Sequence, residues 1–155
     1  MLDFLDFHMT SWLDAFRAQY RARGFDVTYW PFVYGAEFLP LVANTTQQTT
    51  VTIDQDADFI LCLQTFASFS DAGAVQAAPN VLINLRLDTS QRFLMSQPVH
   101  LINIFGTGER PHQLFKPLLM PAKTTMNVEA DSDSVANSNL RLSFIGVKAY
   151  LSRAN

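Results

Sequence analysis

Leu140-Arg141-Leu142-Ser143-Phe144-Ile145-Gly146-Val147-Lys148-Ala149-Tyr150 is the longest strand-like run in the chain. Leu140, Leu142 and Phe144 alternate with Arg141 and Ser143, which gives a strand one apolar face and one wet face. The alternation breaks at Ile145-Gly146, and a glycine inside a strand pattern marks a bulge or a close backbone approach. The run predicts a central strand on which earlier strands pair.

Working back from it, short strand-like segments recur between turn signals. Thr49 to Asp54 alternates, with Val51 and Ile53 on one side. Asp58-Phe59-Ile60-Leu61-Cys62-Leu63-Gln64-Thr65-Phe66 is nearly continuous in apolar residues and predicts a strand buried on both faces. Ala67 to Asn80 reads as a long loop, Val81 to Leu87 alternates again, and Asp88 to Gln91 reads as a turn into a short strand over 92–95. Pro98 to Phe105 reads as a strand containing His100, followed by a Gly106-Thr107-Gly108 turn in which glycine supplies positive φ. Leu114 to Pro121 is bracketed by prolines and reads as an edge segment. Thr124 to Ala130 is a strand with Met126 and Val128 on one face, and 131–139 is a polar loop.

Near the start, Ser11-Trp12-Leu13-Asp14 has the form of a capping box, which predicts a helix from Ser11 to Arg23 stopped by Gly24. Trp12, Phe16 and Tyr20 form one aromatic stripe, expected to pack on the protein's own sheet. Phe25 to Gly35 is strongly aromatic and is interrupted by Pro31, so it belongs at an edge or in a connector. Trp30, Phe32 and Tyr34 share one face if it is extended. That face is either a contact patch or the closure of the core.

One helix and seven or eight closely spaced strands define an antiparallel β-sandwich or jelly roll. The expected organisation is an N-terminal arm and helix over residues 1–24 and a β-sandwich over 25–155, within one structural domain.

Composition narrows function. Hydrophobic residues make up 48% of the 155 and charged residues only 16%. An ordinary soluble domain carries roughly 25% charge, so much of this surface is expected to be covered by something other than water. The net charge of −3, with no basic cluster, argues against nucleic acid. One cysteine, Cys62, permits no internal disulfide and suits a reducing cytoplasm. No apolar run reaches membrane-spanning length, and the acidic start, Met1 to Phe7, does not read as a signal peptide.

No catalytic constellation is legible. His8, His100 and His112 stand apart, and no nucleophile elbow is present. Asp54-Gln55-Asp56-Ala57-Asp58 has calcium-loop spacing without the loop's glycine or distal glutamate, and reads as an acidic turn. The expectation is a protein with no catalytic residues, no metal and no cofactor.

Several motifs occur in a fixed order: Tyr29-Trp30-Pro31-Phe32-Val33-Tyr34-Gly35; Ile53-Asp54-x-Asp56-Ala57-Asp58-Phe59; Pro98-Val99-x-Leu101-Ile102-Asn103-Ile104-Phe105-Gly106-Thr107-Gly108-x-Arg110-Pro111; Pro117 to Ala122; and Leu140 to Lys148. This series resembles small virion proteins of tailed bacteriophages, nearest to the jelly-roll capsid cement or decoration proteins. The resemblance covers the chain from about Phe25 onward and excludes the helix. It implies binding to the outer lattice of the major capsid protein, self-association as a dimer or trimer, assembly in the host cytoplasm and a final place on the virion surface. The alternatives are a neck, tail or adaptor component of the virion and a carbohydrate-binding receptor module. Candidate contact residues are Phe4, Phe7 and Trp12 of the N-terminal segment, Tyr29, Trp30, Phe32 and Tyr34 of the aromatic strip, and Phe105 and Arg110 around the glycine turn.

Overall fold

The last strand, β9 (Ser138–Arg153), pairs on both sides, with β1 (Phe25–Leu41) along one edge and β3 (Asp58–Phe69) along the other. The computed structural model describes residues 2–70, 79–88 and 92–154, and the side chains of residues 2–8, 92 and 93 lie outside that description. The remaining elements are α1 (Leu2–Ala22), β2 (Thr46–Thr52), β4 (Val81–Leu87), β5 (Arg92–Phe93), β6 (Val99–His100), α2 (Leu101–Ile104), β7 (His112–Met120) and β8 (Thr125–Ser132). Two antiparallel sheets result. The first runs β1-β9-β3-β7. The second runs β2-β8-β4-β5, with β6 also paired to β4.

The pairs are nested: β1 with β9, β2 with β8, β3 with β7, and β4 with the two short strands β5 and β6. A long antiparallel ribbon rolled over on itself gives this nesting, and it is a jelly roll. Together β5 and β6 occupy the place of one strand.

Alternation sets the core. Leu140, Leu142 and Phe144 of β9 meet Val81, Ile83 and Leu85 of β4 and Met126, Val128 and Ala130 of β8 between the sheets. The outer face of the first sheet is covered as well. Phe16 and Tyr20 of α1 pack on Ile60, Cys62, Val147 and Ala149, as the aromatic stripe predicts. Double coverage is why β3 reads as an unbroken apolar run. Burial pushes the Cys62 thiol up to about 11, so it stays a protonated apolar filler.

Gly146 meets both expectations for a glycine in a strand. A Cβ there would overlap the Ile60 carbonyl, and the β3 register shifts at the same level, between Leu61 and Leu63. Pro31 lies on an edge strand, as does Pro117 of β7.

Four readings are corrected. The first helix begins at Leu2, so Ser11 sits inside it and caps nothing; its end is as expected, with Gly24 at φ 82°. Leu101–Ile104 is a helical turn, capped by the His100 ring accepting from the Ile102 amide at 3.4 Å, where an extended strand was expected. Gly106 is not a positive-φ residue. It is required because the backbone of Arg110, Pro111 and His112 passes where a Cβ would stand. Its carbonyl accepts from Phe66 N and its amide donates to Gln64 O, which tacks this turn to β3. Phe105, expected at an interface, is 1% exposed and stacks edge-on against Phe144 in the core. Residues 71–78 of the expected long loop and 89–91 of the expected turn lie outside the described residues.

Candidate functional site

The aromatic strip of β1 grades from exposed to buried along one face. Its register pairs Trp30 with Lys148, Phe32 with Gly146 and Tyr34 with Phe144. Tyr34 packs against the core, edge-on to Phe59 at 4.9 Å between centroids. Phe32 lies 4.8 Å from the Tyr34 ring and is 36% exposed, and Trp30 is 63% exposed. The three side chains share the core-facing side, and the outer two run past the cover of the second sheet. Val33, on the opposite face, is also exposed.

Beneath the strip lies a buried cation. Lys148 continues the inward series Leu140, Leu142, Phe144 and is 4% exposed. Its Nζ donates to Asp54 Oδ2 at 2.7 Å and to Asp56 Oδ1 at 3.1 Å, and stands 4.2 Å from the Phe32 ring centroid. Tyr34 Oη donates to Asp54 at 3.1 Å, and Tyr150 Oη donates to Asp56 at 3.0 Å. Burial alone would depress the lysine pKa. The two carboxylates outweigh it and move the ammonium upward. Hydrogen bonds from Lys148, then Tyr34, hold the Asp54 carboxyl below the usual range. The Lys148 hydrogen bond does the same for Asp56, opposed by desolvation and aided by Tyr150. The third acid of the run, Asp58, accepts from Tyr20 Oη and from the Ala122 amide, both at 2.8 Å. The acidic turn between β2 and β3 is therefore a clasp: it pins the turn to β9, and Asp58 pins α1 to the sheet. Both acids and the lysine hold their charges at neutral pH, which suits anchoring better than proton transfer.

The other candidates are dispersed. Tyr29 faces α1, donating to Leu13 O at 2.8 Å beneath the Arg17 guanidinium. Trp12 is half-buried under Lys116, beside a cavity of about 350 Å³ between α1 and β7. Arg110 is exposed in the turn before β7. Phe4 and Phe7 fall in α1, and their side chains lie outside the described residues. The sequence reading passed over Phe115, which is 92% exposed on the free edge strand β7. Its register partner stretch skips from Leu61–Leu118 to Leu63–Gln113, so Phe115 sits on a bulge.

No known family model and no characterised protein sequence matches the chain. Among solved structures, the infectious bursal disease virus VP2 subviral particle is similar at a TM-score of 0.33 and 12% identity, over 80% of this chain. The chain spans 38% of that protein's length. No helix among the described residues is long and apolar enough to cross a membrane.

Proposed function

We propose that this chain is a structural protein of a virus particle, a capsid cement protein that grips the outer lattice of the major capsid protein and does no bond-making of its own. The observation that carries the reading is the exposed aromatic band of Trp30 and Phe32 on the free edge of the first sheet. The same sheet presents Phe115 at its other edge. Solvent-exposed tryptophan and phenylalanine are what a protein partner desolvates most profitably. A stable contact buries roughly 1,200–2,000 Å² in total, and two such edges let one molecule bridge two neighbours. The jelly roll, the low charge and the resemblance of the ordered motifs to phage cement proteins support the same reading. Binding only to the assembled shell stabilises that shell by mass action. In this reading the protein self-associates as a dimer or trimer and joins the capsid surface in the host cytoplasm.

The test is its abundance in purified particles against the major capsid protein, together with rebinding to shells stripped of it. Copy number commensurate with the lattice, and saturable rebinding, are expected. A small ring's worth of copies, or none, overturns the cement role.

A further inference from the structure

The outer face of the second sheet is a polar grid. Register sets Gln48, Glu129 and Asn84 in one row across β2, β8 and β4, and Thr50, Asn127 and Arg86 in the next. Gln48, Asn84, Arg86, Asn127 and Glu129 line a cavity of about 250 Å³. Strands stand about 4.8 Å apart and same-face residues about 7 Å apart, so the five side chains frame an area of single-ring size.

The two asparagines are under-used. Gln48 Nε2 donates to Glu129 Oε2 at 2.6 Å. The side-chain amides of Asn84 and Asn127 make no hydrogen bond among the described residues, and Asn84 Oδ1 is buried from solvent without a donor. Buried acceptors in folded proteins are nearly always satisfied by protein or water, so Asn84 Oδ1 is available to a donor that enters the cavity. One carboxylate and one guanidinium cancel, and Arg86 is also 3.4 Å from Asp88, so the cavity selects neither anion nor cation. What it offers is planar groups carrying a donor beside an acceptor, or two acceptors. A hydroxyl is both donor and acceptor, and a vicinal pair of hydroxyls matches such a group two bonds at a time. The volume lies just below the range for drug-sized ligands.

We propose that this face binds a neutral sugar ring, with Asn84 and Asn127 donating and accepting at its hydroxyls and the Gln48–Glu129 pair fixing its orientation. The site shares no residue with the Trp30 edge and stays open when that edge is gripped. It stands whether or not the capsid reading does.

The experiment is a titration of the isotope-labelled full chain with glucose, galactose, mannose and N-acetylglucosamine in turn, following the side-chain amide signals of Gln48, Asn84 and Asn127 by NMR. At least one sugar is expected to shift all three with one saturating curve. Asn84→Ala should weaken that sugar about tenfold, the worth of about one hydrogen bond, with the backbone spectrum of the core unchanged. No shift from any sugar overturns the proposal. So do non-saturating shifts, shifts unchanged in Asn84→Ala, or a response only to the peptide probe N-acetyl-glycylglycine amide, which would assign the face to a protein partner.

Discussion

Replacing Gly146 by alanine puts the fold to its most direct test. The added methyl overlaps the Ile60 carbonyl oxygen and comes within 2.9 Å of both the Ile60 carbonyl carbon and Phe59 Cζ. Two of these neighbours are backbone atoms of β3, so relief requires β9 and β3 to part in the middle of the sheet. Overpacking costs typically about 1–3 kcal/mol, and a clash with backbone belongs at the upper end. At about 2–4 °C per kcal/mol for a domain of this size, Gly146→Ala should lower Tm by roughly 6–12 °C. Gly35→Ala is the control. It lies on the neighbouring strand, where the nearest heavy atom to a Cβ is Leu142 O at 3.9 Å. There a methyl mainly restricts the unfolded chain and should be neutral or stabilising by up to about 1 kcal/mol. Thermal unfolding followed by circular dichroism reads the Tm shift, and urea denaturation with m unchanged reads the free-energy change, in both variants. If Gly146→Ala stayed within about 1 kcal/mol of wild type, the register of β9 against β3 would be wrong, and the sheet order with it.

The clasp predicts a pH signature. Asp54 and Asp56 have lowered pKa values in the fold, so their contribution is present above about pH 4 and is lost as pH falls through the folded values. Lys148 has a raised pKa, so its contribution is present below about pH 10.5 and is lost as pH rises beyond that. The stability difference between wild type and Lys148→Met should thus be flat across neutral pH and shrink at both extremes; a difference that peaks near either extreme would refute the clasp. Phe105→Ala and Trp30→Ala should separate core from contact surface. The first should cost about 3–5 kcal/mol in a denaturation experiment. The second should cost within about 0.5 kcal/mol yet, on the proposed capsid role, weaken attachment to shells at least about tenfold.

What the residues disclosed follows from which forces act locally. The alternation of Val81 to Leu87 and of Met126, Val128 and Ala130 reports a sheet with one buried face, and both strands are where it places them. The unbroken run of β3 reports burial on two faces. Ser11 misled because a serine three residues before an acid looks the same inside a helix as at its start. Leu101-Ile102-Asn103-Ile104 is too short for periodicity to distinguish a helical turn from a strand. Phe105 was assigned to the contact surface and belongs to the core, because an aromatic residue beside a turn fits either equally. The clasp was hidden by distance: Lys148 lies 94 residues from Asp54. A signal for it was nonetheless present. A lysine in the inward register of Leu140, Leu142 and Phe144 must find an anion, and Asp54-Gln55-Asp56 is the acidic turn able to supply two.

The nested ribbon also governs how the chain can acquire its shape. Phe25 finds its partner in Arg153, and each pair further in closes a shorter loop, down to β4 with β5. Zipping can therefore start at the inner hairpin and spread outward, each step closing a longer loop, and such topologies fold slowly. On the ribosome, β1 emerges well before β9 and waits for β2 to β8 to be made before its mate appears. During that interval the segment carrying Trp30 and Phe32 has no partner on either edge, and Pro31 and Pro40, which have no N–H to give a ladder, disfavour its pairing with a stranger.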